Sequence, residues 1–275
     1  MIAYRKLLND VLQNGELKES RAGDTVFMSH QVISHNCLTD GFPALTGRKL
    51  AFKTMAAELD CFIHGLTSIH DFRDRGCRIW DANLVDFNER TGRPLNADLG
   101  AIYGAVWRGR AGANRIDQLE WVLEEARTNP SSRRLFVTAW MPKDALDDTQ
   151  QALPPCHLSF QLTINKGMLD LCFYMRSVDL VLGLPFDIAS YALLQALIAN
   201  QLGLTARKVT GFLADAHIYR INVPAAAEYL CREIYPAPTL VLDLPPGAPV
   251  TAFHYTQAHL KDYRHGEAIA TPMAV

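Results

Sequence analysis

The chain has 275 residues, enough for one large domain with a sizeable core, and its 49% hydrophobic and 20% charged content is ordinary for a soluble globular protein. A formal net charge of −2 gives no electrostatic reason to expect a nucleic-acid polymer or a membrane surface as partner. No stretch reaches the roughly 18 apolar residues of a membrane span, and the six cysteines (Cys37, Cys61, Cys77, Cys156, Cys172 and Cys231) form no CxxC pair, which argues against a disulfide framework or a zinc site and for a reducing cytoplasm.

Along the chain, Ile2, Leu7, Leu8, Val11 and Leu12 fall at helical spacing, and Asn14-Gly15 is a good stop, so residues 2–14 read as a helix and not a signal peptide. A polar loop, Ser20 to Thr25, precedes a strand at Val26-Phe27-Met28. Lys49 to His64 is mostly apolar and reads as a buried helix carrying Leu50, Met55, Leu59, Phe62 and Ile63. Glu58 is its anomaly, because a carboxylate there is costly without a partner unless it lies on a solvent-facing edge. Asp86 to Asp98, with Thr91-Gly92-Arg93-Pro94, reads as a surface loop. Ile116, Leu119, Val122 and Leu123 predict an amphipathic helix from Ile116 to Arg127, ended before Pro130. A turn with Arg133-Arg134 follows, whose charges have solvation as their commonest role, and then a strand from Leu135 to Trp140.

Cys156 follows two prolines that fix an extended approach, and it opens the alternation Leu158, Phe160, Leu162, Ile164 of a half-buried strand. Asn165-Lys166-Gly167 turns the chain into a second arm, Leu169, Leu171, Phe173, which ends at Arg176 and so returns near Cys156. A nearby cation lowers a thiol pKa. Two readings of Cys156 stay open, an activated nucleophile or a small buried hydrophobe. Adjacent strand residues point to opposite faces, which leaves His157 poorly placed to serve Cys156 as a base.

Residues 186–202 are almost continuously apolar and stop at Gly203, as a buried helix does. Asp187 lies near its start, where a capping role is open beside a ligand-facing one. After a strand over Val209 to Leu213, His217 and Tyr219 are one residue apart and face the same side, so they can grip one ligand group; a buried His217 with no ligand is the alternative. Leu240, Leu242 and Leu244 alternate before a Pro-rich turn. No repeat or linker interrupts the chain, so residues 1–275 are expected to form a single catalytic domain.

In series, Leu153-Pro154-Pro155-Cys156-His157, Arg176-Ser177-Val178-Asp179 and Gly183-Leu184-Pro185-Phe186-Asp187-Ile188-Ala189-Ser190-Tyr191 resemble the thymidylate synthase family, from about Arg21 to Val275. The resemblance implies an α+β fold with a large twisted mixed sheet backed by helices, dimerising through the sheet face. It implies methylenetetrahydrofolate as co-substrate, no metal, and a pyrimidine nucleoside monophosphate as substrate. By resemblance, Cys156 is the nucleophile, Glu58 an acid/base that orders water, and Tyr103 a neighbour of the nucleophile, with Arg176, Asp179 and Asp187 completing the catalytic set. Arg21, Arg176 and Ser177 would bind the phosphate in cis, Arg133 and Arg134 from the other subunit of a homodimer, and His217 with Tyr219 the sugar 3′-hydroxyl. Trp80, Asp179, Gly183 and the tail to Val275 would face the folate.

Three residues depart from the family pattern. Asn83 stands where a second tryptophan is expected and Ala51 where a histidine is common, which alters the folate wall; Asp187 replaces an asparagine. An amide satisfies uracil O4 and N3–H together, whereas a carboxylate accepts from the amino group of cytosine and opposes O4. The expectation is therefore hydroxymethylation of dCMP, as in the family's deoxycytidylate hydroxymethylases. The alternatives are dCMP methylation, dUMP methylation, and a catalytically silent nucleotide-binding paralogue.

Overall fold

The computed structural model describes residues 1–20, 23–93, 96–110 and 116–272. Strands β1 (Glu16–Lys18), β2 (Thr25–Asn36), β3 (Phe136–Thr138), β4 (His157–Asn165), β5 (Met168–Met175), β6 (Val178–Asp179) and β7 (Thr205–Tyr219) form one sheet in the order β1-β2-β7-β5-β4-β3, with β6 on β7. Pairing is antiparallel except where β5 and β6 run parallel to β7, so the sheet is mixed. Strands β8 (Thr239–Leu242) and β9 (Ala258–Lys261) make a separate hairpin-like pair. The helices are α1 (Ile2–Asn14), α2 (Cys37–Asp40), α3 (Phe52–Ile63), α4 (Ile69–Asp74), α5 (Asp81–Thr91), α6 (Tyr103–Trp107), α7 (Gln118–Thr128), α8 (Pro142–Ala145), α9 (Gly183–Leu202) and α10 (Val223–Cys231). The expected α+β sheet backed by helices is the observed one. Among the described residues no helix is long and apolar enough to cross a membrane.

The tight turn between β4 and β5 needs positive φ, and Lys166 (50°) with Gly167 (75°) supply it, as the sequence predicts. One sheet face carries Phe160, Leu171 and Phe173, all buried, and receives α9. Tyr191 of α9 stacks on Phe173 with centroids 4.4 Å apart, and buried Gln195 donates to the carbonyls of Leu169 and Lys208, both at 2.8 Å, joining the helix to β5 and β7. Gly211 makes this possible, since a Cβ there would meet the Phe173 ring at 2.6 Å. Helix α3 packs between α9 and α6, and Gly104 permits the close crossing, because a Cβ would lie 2.3 Å from the Phe62 backbone. The opposite sheet face is open. Val32, Phe212 and Tyr174 lie in register across β2, β7 and β5, with Val32 59% and Tyr174 42% exposed.

Several boundaries differ from the sequence reading. The segment read as a loop over 86–98 is helical to Thr91, because Leu84 and Phe87 bury one face at i,i+3 spacing and Gly92 ends the helix in the left-handed conformation. The short strand at Val26-Phe27-Met28 is part of a twelve-residue β2, held along β7 through polar positions that carry no apolar signal. Helix α7 starts at Gln118, capped by Asp117, which leaves Ile116 outside it. Helix α9 starts at Gly183, so Asp187 is its fifth residue.

On α3, Asp60 is fully buried and ties the C-terminal segment to the helix. It receives the N–H of Tyr255 at 2.9 Å and faces His64 Nδ1 at 2.9 Å and Arg75 Nε at 3.2 Å. Burial alone would raise this carboxyl, but its hydrogen bonds and the Arg75 charge outweigh that and hold it below the ordinary value. Asp60→Ala should cost about 1–3 kcal/mol, because it leaves the Tyr255 N–H unpaired and the half-buried His64 and Arg75 without their carboxylate. Urea unfolding at neutral pH measures this; a loss below about 1 kcal/mol, the worth of an exposed pair, would show that the cluster is not a structural tie.

Candidate active site

A cleft of about 380 Å³ opens between α3, α5, α6, the start of β4 and the start of α9. Glu58, Trp80, Asn83, Tyr103, Cys156, His157, Ser177, Asp179, Gly183, Asp187 and Tyr191 line it, among apolar side chains such as Ile79, Leu182 and Phe186. The predicted residues of the central motifs thus converge on one space.

Cys156 sits at the end of the proline approach, just before β4. Its N–H donates to Tyr103 Oη at 3.0 Å, and its carbonyl accepts from the Arg176 N–H at 3.0 Å. Arg176 folds back on the same turn, donating to the carbonyls of Pro155 (2.9 Å) and Pro154 (3.1 Å), with Nη2 3.8 Å from Sγ. The returning hairpin therefore brings cation and thiol together as the spacing predicts. The expected lowering of the thiol pKa is not the net result. Burial pushes the thiol above its ordinary value, Asp187 adds to that, and Arg176 opposes it only in part. Burial thus disfavours the thiolate, and Arg176 is placed to favour it.

His157 departs from the alternation argument. The β4–β5 register shifts between His157 and Ser159, and Cys156 precedes the strand, so Cys156 and His157 line the same cleft. His157 Nε2 lies 2.9 Å from Asp187 Oδ1, and Nδ1 lies 3.3 Å from Tyr191 Oη. Burial disfavours the imidazolium, but the charge and hydrogen bond of Asp187, with Glu58 beyond, outweigh burial and raise its pKa. Asp187 is not a helix cap. The N-terminal turn is held instead by Asp179, whose Oδ1 accepts from Val181 at 2.8 Å and Leu182 at 3.1 Å. Asp187 Oδ2 faces Gly183, where a methyl group would stand 3.5 Å away.

Glu58 projects into the cleft from α3 and accepts from Trp80 Nε1 at 2.8 Å. The solvent-edge alternative is thereby removed. Burial raises its carboxyl to about 7, against the Trp80 hydrogen bond and the His157 charge. A carboxyl raised in the folded state stabilises below its unfolded pKa and loses that contribution as pH rises through about 7. Glu58→Gln should therefore melt higher than the parent protein at pH 8, with the gap closing toward pH 5. A constant gap across that range would mean that Glu58 does not titrate there.

His217 and Tyr219 do share a face of β7, with ring centroids 4.9 Å apart, and His217 pairs with Asp179 of β6. Trp80 is buried against Phe62, Phe72 and Tyr103. Arg133 and Arg134 are exposed beyond β3, outside this chain's cleft, with Arg134 3.8 Å from Glu125. Ala51 is exposed at the start of α3 and does not line the cleft, whereas Asn83 does. Arg21 and Val275 lie outside the described residues. Sequence reasoning missed His157 and Tyr191 as cleft residues; the adjacency of His157 to Cys156 was the available signal. Among the described residues no cluster of three or more His, Cys, Asp or Glu side chains is arranged to hold a metal ion. The family model described as thymidylate synthase matches residues 2–275.

Proposed function

The chain belongs to the thymidylate synthase family, which transfers a one-carbon unit from methylenetetrahydrofolate to C5 of a pyrimidine nucleotide, and we propose that this member hydroxymethylates dCMP. The observation that carries the choice of base is the Asp187 carboxylate, buried in the cleft with Oδ1 on His157 and Oδ2 directed toward Gly183. An oxygen so placed accepts a hydrogen bond from the 4-amino group of cytosine. Against uracil O4 it would leave two acceptors face to face, at a cost of about 1–3 kcal/mol or more.

The apolar wall of Trp80, Ile79, Leu182 and Phe186, with the polar edges of Asn83 and Asp179, suits a planar heteroaromatic group such as the pterin of a folate. These residues and Gly183 would hold it. The folate supplies the one-carbon unit. Cys156 Sγ would add to C6 of the pyrimidine, which makes C5 nucleophilic; C5 would take up the one-carbon unit and lose its proton, the bond from that carbon to the folate nitrogen would break, and Sγ would leave when the C5–C6 double bond reforms. Arg176 favours the thiolate at that step. Tyr103, kept a neutral phenol by burial, fixes the Cys156 backbone. Glu58, with its carboxyl near 7, orders water and moves the proton it gives up when its oxygen bonds to the methylene on C5. The second reading is methylation of dCMP, favoured by the burial of Trp80 against Glu58, which shields the same carbon from water.

Arg21, Arg176 and Ser177, joined in trans by Arg133 and Arg134, make the phosphate site of a homodimer, and the open apolar sheet face of Val32, Phe212 and Tyr174 supports that assembly. A single catalytic domain in the cytoplasm, without metal, is the remaining part of the reading. Trapping tests the chemistry. With 5-fluoro-dCMP and methylenetetrahydrofolate, the Cys156 peptide should gain the mass of nucleotide plus folate; no adduct would mean that the protein only binds.

A further inference from the structure

Residues Asp215, His217 and Tyr219 alternate along β7 and so share one face of the strand. Asp215 Oδ1 lies 2.9 Å from His217 Nδ1, and Oδ2 is paired with Lys18 Nζ. Lys18 ends β1, and its ammonium lies over the Phe27 ring, 4.8 Å from the centroid, on the way to Asp215. Phe27 is the register partner of His217 across β2 and β7. The result is a line of three side chains, Lys18, Asp215 and His217, of which only the last is buried. An exposed ion pair of this kind contributes only about 0–1 kcal/mol to folding. Stability therefore does not account for a carboxylate placed between a lysine and the one buried histidine of this strand. Orientation does. A carboxylate that accepts from Nδ1–H places the ring proton there and leaves Nε2 as the nitrogen available to a ligand.

We propose that Asp215, steadied by Lys18, is the positioning residue that fixes the ring orientation and tautomer of His217, so that Nε2 accepts the 3′-hydroxyl proton of the sugar. This rests on the reading of His217 and Tyr219 as the sugar contact. His217 is the register partner of Asp179, which lines the cleft, and the Tyr219 ring centroid lies 4.9 Å from that of His217, so the pair stands beside the cleft. The hold comes from outside the cleft, from β1 at the edge of the sheet.

Two measurements test it. For turnover, dCMP is compared with 2′,3′-dideoxy-CMP in the parent protein, Asp215→Asn, Lys18→Met and His217→Ala. Asp215→Asn should raise KM for dCMP about tenfold, the worth of one hydrogen bond, with kcat nearly unchanged and the preference for dCMP over the dideoxy compound reduced toward that of His217→Ala. Lys18→Met should move the same quantities less. For tautomer, imidazole 15N NMR, with the His217 signals assigned by their loss in His217→Ala, should place the proton on Nδ1 in the parent protein and on both nitrogens in exchange in Asp215→Asn. If the parent protein fails to distinguish dCMP from the dideoxy compound, the sugar reading of His217 fails and the proposal with it. If the parent distinguishes them and Asp215→Asn does so equally, with an unchanged tautomer, the positioning role alone is overturned.

Discussion

Cys156→Ser is expected to lower turnover by a factor on the order of 10⁴ or more, as loss of a nucleophile does in other covalent enzymes, while nucleotide affinity changes little. The local structure around residue 156 is fixed by its backbone, through Tyr103 on the N–H and Arg176 on the carbonyl, and Arg176 is anchored by the Pro154 and Pro155 carbonyls. None of these contacts uses the sulfur, so serine leaves the turn in place. What changes is reactivity. A hydroxyl is a far weaker acid than a thiol, and a site whose burial already disfavours the thiolate leaves an alkoxide out of reach. Single-turnover assays and calorimetric binding of dCMP separate the two effects. Exchange of the C5 proton at more than a trace level in the variant would rule out the covalent role of Cys156.

Asp187→Asn should shift the ratio of kcat/KM for dCMP to that for dUMP toward dUMP by about 10–10²-fold, the range that corresponds to one unpaired buried polar group. The amide donates to O4 and accepts from N3–H, where the carboxylate accepts only. Stability responds through His157, and not through a helix cap. In the parent protein the Asp187 partner raises the His157 pKa, so their pairing stabilises fully below the unfolded histidine value and fades as pH rises through the folded one. Asn should therefore lower the melting temperature more at pH 5.5 than at pH 8, conditions chosen to bracket the ordinary histidine pKa of about 6.5. An unaltered nucleotide ratio would return the protein to dUMP methylation with an unusual residue in the cleft.

How much of this was legible in the sequence follows from the range of each interaction. The hairpin that returns Arg176 to Cys156 depends on local alternation and on a turn that needs positive φ at Lys166 and Gly167, and both are visible as residue types. Glu58 was visible as a charge out of place in an apolar helix. Its hydrogen bond from Trp80, an element away, was not. The helix through Thr91 was hidden because only Leu84 and Phe87 of its residues are buried, while Val85 is exposed, so the polar surface masks the period. Cys156 precedes β4, so simple alternation does not separate it from His157 and both line the cleft, while the two ring nitrogens of His157 face Asp187 and Tyr191. Arg176 can be inferred from spacing and does pull the thiol pKa down, whereas the depth of burial and the approach of Asp187, which together leave it raised, are products of the whole fold. The Asp187–His157 pair joins α9 to β4, and no local pattern announces it.

Selection of cytosine by the buried Asp187 carboxylate and completion of the transfer by water meet in one experiment, in which the protein is given equimolar dCMP and dUMP with methylenetetrahydrofolate and every product is identified by mass. The expected products are 5-hydroxymethyl-dCMP and tetrahydrofolate, with dUMP left unchanged; thymidylate and dihydrofolate, with dCMP untouched, would refute both.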